Sequence, residues 1–128
     1  MAQKHLILIL ARELASNLAT GTLIADEHGK VVFYNEAAEA VIGVPFAEMG
    51  EVGMDELGAS FSPRTPEGEP LPIESLPGRI ALDEHRAAHE RVWVTSRDGV
   101  DREVSVTVFP LFAHADEFVG VMTIFWRE

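Results

Sequence analysis

The segment that most limits how this chain can fold is its last one, Phe118 to Trp126. Its valines, isoleucine and aromatics read as a strand. Phe118, Met122, Ile124 and Trp126 fall on one side of it, and Val119, Val121 and Phe125 on the other. A strand with one wet face would alternate apolar with polar residues, so this one must be covered twice. The chain has 128 residues, enough for one core of real size and one domain. A single sheet with cover on both faces is therefore expected.

Two parts of the sequence supply that cover. Residues 4–19 read as a helix, with Ile7, Leu10, Leu14 and Leu18 at three- and four-residue spacing and Ala11 and Ala15 widening the stripe. Its first turns are apolar nearly all round, so it needs two neighbours. Gly21 is the expected stop. Short helices in the middle of the chain supply the other cover. Asn35 offers a side-chain oxygen to the open amides of a helix from Glu36 to Ile42, which Gly43 ends. The stretch 44–79 carries Pro45, Pro63, Pro66, Pro70, Pro72 and Pro77 and several glycines. Only short helical turns fit there, around Phe46–Met49 and Met54–Leu57. A longer turn runs from Arg79 to His85 and starts near Ile73.

Alternation and turn signals give the other strands. Thr22–Ala25 and Lys30–Tyr34 form a hairpin about Asp26-Glu27-His28-Gly29, where Asp opens the turn and Gly tolerates positive φ. Arg91–Arg97 and Arg102–Leu111 flank Asp98-Gly99, a hairpin turn signal, and Val104, Val106 and Val108 share one face of the second strand. Ala113-His114-Ala115-Asp116 is the loop before the last strand.

Composition excludes several functions. Asp and Glu outnumber Lys and Arg by 21 to 10, a formal net charge of −11. Such a surface repels phosphate backbones and anionic membranes, so neither nucleic acid nor membrane is an expected partner. The apolar run Leu6–Ala11 is far shorter than the about 20 residues that span a bilayer. It also lacks the basic start and cleavage site of a leader, and the expected location is cytoplasmic. The chain has no cysteine, which rules out disulfides, zinc thiolates and cysteine nucleophiles. Ser60 and Ser62 lack a nucleophile elbow, and no Gly-rich phosphate loop occurs. An enzyme is not expected.

The order is helix, two strands, short helices, then three antiparallel strands. Together with local residues, it resembles the PAS family of sensor domains. The residues that carry the resemblance are Asp26-x-x-Gly29 followed by Val31, then Asn35-Glu36-Ala37-Ala38 and Gly43. Pro66-Glu67-Gly68-Glu69-Pro70-Leu71-Pro72, leading into Leu76-Pro77 and Ala81-Leu82, adds to them. So do Asp98-Gly99 before a valine-rich strand ending in Phe109-Pro110-Leu111, and Gly120 in the last strand. The resemblance runs from about residue 20 to residue 126. It implies an α+β fold, with a five-stranded antiparallel sheet, short helices on one face and an N-terminal helix flanking the other. Residues 1–20 would be a flanking and dimerisation helix, and 21–128 the sensor. The implied function is that of a bacterial signal-transduction module acting on a downstream signalling protein. An Asp-Ile-Thr-like ending often precedes an effector in this family, and Trp126-Arg127-Glu128 stands in its place. The expectation is a stand-alone sensor or a piece of something longer.

Family members often hold a small ligand between sheet and helices. The candidate lining here is Phe33, Val41, Ile42, Met49, Met54, Leu57, Phe61, Ile80, Val106, Met122 and Ile124. The list is mostly apolar, as pockets are, and its methionines adapt to irregular shapes. The alternative is that these residues fill a core and the domain serves purely for protein–protein interaction. The ligand's identity is not legible. Family members that bind haem use a histidine on the helix before the third strand; His85 stands there beside Asp83, Glu84 and Arg86, a charged setting wrong for haem. Cysteinyl-flavin adducts and covalent chromophores need a cysteine. His85 and His89 would share a metal only on one continuous helix, and strand signals begin at Arg91, so no metal is expected. Leu6, Ile7, Ile9, Leu10 and Leu14 exceed what one small sheet face can cover, and such a surplus marks an interface. A two-fold homodimer through Ile7, Leu10, Leu14 and Leu18 is the expected assembly.

Overall fold

The computed structural model describes residues 2–96, 99–114 and 116–127. The elements are α1 (Ala2–Ser16), β1 (Gly21–Asp26), β2 (Val31–Tyr34), α2 (Glu36–Ile42), α3 (Phe46–Met49) and α4 (Met54–Ala59), then a 3-10 turn (Ile73–Ser75), α5 (Pro77–Glu84), β3 (Ala88–Thr95), β4 (Asp101–Phe112) and β5 (Phe118–Arg127). All five strands pair antiparallel in one sheet, in the order β2-β1-β5-β4-β3. The doubly apolar β5 is the central strand, which is why it has no wet face.

The two covers are distinct. On one face, α1 buries Ala11 and Ala15 against Ile24 of β1 and Met122 of β5. Small side chains on the helix let it approach the sheet closely. On the other face, α2, α4 and α5 bury Ala38, Ile42, Leu57, Ala81 and Leu82 against Leu23, Val31, Val108 and Val121. Fully burying a side chain such as Ile24 or Met122 contributes about 1.5–3 kcal/mol. The β1–β2 turn forms as its residues require. Asp26 Oδ1 accepts from the backbone N–H groups of His28 (2.9 Å) and Lys30 (3.0 Å), and Gly29 takes φ 82°.

Several boundaries differ from the sequence-based expectation. α1 ends at Ser16, not at residue 19, and Gly21 opens β1 instead of closing the helix. Near the helix end, Ser16 Oγ donates to the Arg12 carbonyl at 2.8 Å and Asn17 Nδ2 to the Glu13 carbonyl at 2.9 Å. Such local bonds compete with a further helical turn. The stretch expected to be one helix from Ile73 is divided, because Leu76 is extended (ψ 144°) ahead of Pro77, the first residue of α5. His85, at φ 53°, closes α5. β3 starts at Ala88, with His89 and Glu90 paired to Thr107 and Val106. It is an edge strand, so its exposed polar residues hid the signal. Phe118 packs on the α2–α5 side and not beside Met122. The pairing slips between Leu111 and Phe112, so that Leu111 faces Gly120 and Phe112 faces Phe118, and this bulge reverses the phase of β5. Asp98 of the expected Asp98-Gly99 turn and Ala115 of the expected loop lie outside the described residues. Among the described residues, no helix is long and apolar enough to cross a membrane.

Candidate functional site

Between the inner face of the sheet and the helices lies a cavity of about 160 Å³. Its sheet wall consists of Leu23 from β1, Val92 and Val94 from β3, Val104, Val106 and Val108 from β4, and Thr123 and Phe125 from β5. Strand alternation places these residues on one face. Val41 and Ile42 of α2, Leu57 and Gly58 of α4, and Met54 with Gly78 close the other side, with Phe61 and Leu76 in the connections. Helices this short, joined by proline-bearing segments, cannot lay a continuous ridge along the sheet. The fit at Gly78 is close, since a Cβ there would come within 2.8 Å of Met54 Cε.

Two charged side chains, Arg79 and Asp55, border this apolar space. Arg79 Nη1 donates to Asp55 Oδ2 at 2.6 Å, joining α5 to α4. Its Nε and Nη2 donate to Asp83 at 3.0 and 2.7 Å. The Asp83 hydrogen bonds first, and then the charge of Asp55, hold the guanidinium pKa above its ordinary value. About a third of the Arg79 and Asp55 side chains is exposed (32% each), so solvent screens the pair and its role is mainly positional.

Six of the sequence-based candidates line the cavity: Val41, Ile42, Met54, Leu57, Phe61 and Val106. Phe33, Met122 and Ile124 lie on the opposite face of the sheet, packed with the α1 cluster. Arg12 of α1 sits over the Phe33 ring, 4.9 Å from its centroid. Met49 is half-buried on α3 at the edge of the helix-side core, and Ile80 is half-buried on α5; neither reaches the cavity. Sequence reasoning missed Leu23, Val92, Val94, Val104, Val108, Thr123 and Phe125. The alternation that placed Val106 with Val104 and Val108 was the available signal for two of them.

Asn35 does more than cap a helix. It is 3% exposed. Its Oδ1 accepts from the backbone N–H of Ala38 at 3.0 Å, capping α2, and from that of Thr22 at 3.0 Å. Its Nδ2 donates to the carbonyls of Ala15 and Thr20 at 2.9 Å each and of Leu18 at 3.3 Å. These donations tie Asn35 to the end of α1. One residue thus joins the helix that walls the cavity to the helix on the far side of the sheet.

The histidines considered as ligands stand apart. His85 stacks on Phe118 with ring centroids 3.9 Å apart and planes 8° apart. His89 is on β3, its Nδ1 2.7 Å from Thr107 Oγ1. Among the described residues, no three His, Asp or Glu side chains gather as a metal site would require. On α1, Leu6, Ile9, Leu10 and Leu14 are 52–56% exposed, while Ile7 and Leu18 are half-buried.

Comparison with known proteins agrees with this arrangement. The family model described as the PAS fold matches residues 15–127. No curated protein sequence matches. Among solved structures, the chain is similar to the PAS domain of the fruit-fly ELK potassium channel, with a TM-score of 0.74 and 13% identity over 94% of this chain and 95% of that one. It is also similar to the PAS domain of BvgS from Bordetella pertussis, with a TM-score of 0.65 and 16% identity over 94% of this chain and 84% of that one. A third is the PAS domain of nitrogen regulation protein NR(II) from Vibrio parahaemolyticus, with a TM-score of 0.63 and 18% identity over 93% of this chain and 98% of that one. With a helix-covered sheet in the order β2-β1-β5-β4-β3 and a family match over nearly its whole length, the chain belongs to the PAS family of sensory domains.

Proposed function

We propose that this chain is a dimeric, non-catalytic cytoplasmic sensor that holds a small apolar molecule in its cavity and passes the change through α1 to a partner protein. The observation that carries this reading is the cavity of about 160 Å³, walled mostly by Val, Leu, Ile, Met and Phe side chains. Apolar cavities of about 150 Å³ stay dry and accept benzene-sized molecules. The site offers shape and apolar contact, which favour binding over catalysis. Val41 and Ile42 place α2 in the wall, and Asn35 ties the start of α2 to the last turn of α1. A ligand that favours one setting of α2 therefore biases α1, by as much as its affinities for the two settings differ. The exposed leucines of α1 support its role as the surface shared with a second copy, with residues 1–20 as the flanking helix and 21–128 as the sensor.

Native mass spectrometry of the chain purified from cells without denaturation tests the ligand. The expected spectrum shows, beside the bare protein, a recurrent adduct of one small-molecule mass. Repeated preparations with bare protein alone, unchanged when small aromatics are added, would contradict the sensor reading.

A further inference from the structure

We propose that the cavity takes a neutral, one-ring-sized molecule bearing a single hydrogen-bonding group, and that Thr123 is the residue that binds this group. The inference rests on the reading of the cavity as a ligand site. Thr123 lies in the central strand, paired with Leu23 of β1 and Val108 of β4, and its side chain faces the cavity. The surrounding sheet wall is valine at Val92, Val94, Val104, Val106 and Val108. Valine has nearly the shape of threonine, so packing alone does not call for a hydroxyl here. Among the described residues, none donates to or accepts from that hydroxyl. Thr123 is half-buried, so its hydroxyl is open to a partner, and a ligand atom can supply one. Since a hydroxyl both donates and accepts, an O–H or a ring N–H on the ligand would serve.

The other polar groups at the cavity select against charge. Arg79 is occupied by Asp55 and Asp83, and two carboxylates around one guanidinium leave this border net negative. A carboxylate ligand would meet that charge and would also lose its water among valines. A cation would find Asp55 already paired. A volume of about 160 Å³ suits an occupant of roughly one ring.

Calorimetric titration of the full chain with benzene, phenol and benzoate tests this assignment, using the wild type and Thr123→Val. The wild type is expected to bind phenol about fivefold or more tightly than benzene, and benzoate not at all. Thr123→Val is expected to bind phenol no better than benzene. If Thr123→Val does not fold, Thr123→Ala carries the same expectation, and Thr123→Ser should retain the phenol preference. Equal phenol affinity in wild type and variant, with benzene still bound, would overturn the role of Thr123 and leave the cavity reading intact. Benzoate bound as tightly as phenol would overturn the neutral class. Binding of none of the three would overturn both this inference and the ligand reading beneath it.

Discussion

Asn35 and Asp101 are the side chains whose removal says most. Asn35 accepts two backbone N–H bonds and donates to the end of α1, all while buried. Asn35→Asp keeps the acceptor and turns an oxygen toward the Ala15 and Thr20 carbonyls. The expected cost is about 2–3 kcal/mol in urea unfolding, with faster hydrogen exchange at the end of α1 and retained protection in α2. Unchanged exchange in α1 would show that the tie does not hold the helix. Its capping role was legible, because an Asn directly before Glu-Ala-Ala-Glu is a local signal. Its bonds to α1 were not, since they depend on how β1 and β2 bring residues 15 and 35 together. Asp101 accepts from the Thr95 hydroxyl at 2.6 Å and from Arg64 Nη2 at 3.3 Å. The Thr95 hydrogen bond first, and the Arg64 bond second, lower its pKa. The charged form is thus favoured by folding. This stability is present above the ordinary aspartate value of about 3.9 and is lost as pH falls through the lower folded value. Asp101→Asn should lower the urea midpoint at neutral pH, and the difference from wild type should fade below that window. A difference that grows on acidification would contradict the assignment.

At the level of elements, α1 and β5 decide the architecture. Both were recognisable, α1 by its spacing and β5 by having no polar face. Which side of β5 faces the helices was not recognisable, because alternation yields two faces without labels. The choice of Met122 and Ile124 for the pocket therefore went to the α1 side, and the bulge at Gly120 shifted Phe118 against them. The helix sets Ala11 and Ala15 on the sheet, at 7% and 0% exposure, with half-buried Leu8 packed beside them, and leaves Leu6, Ile9, Leu10 and Leu14 outside. Four large apolar side chains on one helix left in water mark a surface for association. If the proposed dimer forms through this face, Leu10→Asp with Leu14→Asp should turn it into a monomer in analytical ultracentrifugation, with the far-ultraviolet spectrum retained. A double variant that unfolds would instead show that these leucines stabilise the monomer. An undiminished dimer would move the interface elsewhere.

For the whole molecule, the sheet separates a cavity on one side from α1 on the other. The existence of a hollow was not readable in the sequence, since the same apolar residues would serve a filled core. It arises because the short helices of residues 36–84 meet the sheet at separate points, with Met54 beside a glycine and Arg79 holding α4 to α5. In the proposed sensor, occupancy on the cavity side is felt at α1 through Asn35. Amide hydrogen exchange across the chain, with and without saturating phenol, tests it directly. Slower exchange in α2 and α4 is expected together with a change at the end of α1, and the α1 change should be lost in Asn35→Asp while phenol still binds. Slowing confined to the cavity walls, with α1 identical in both conditions, would contradict it.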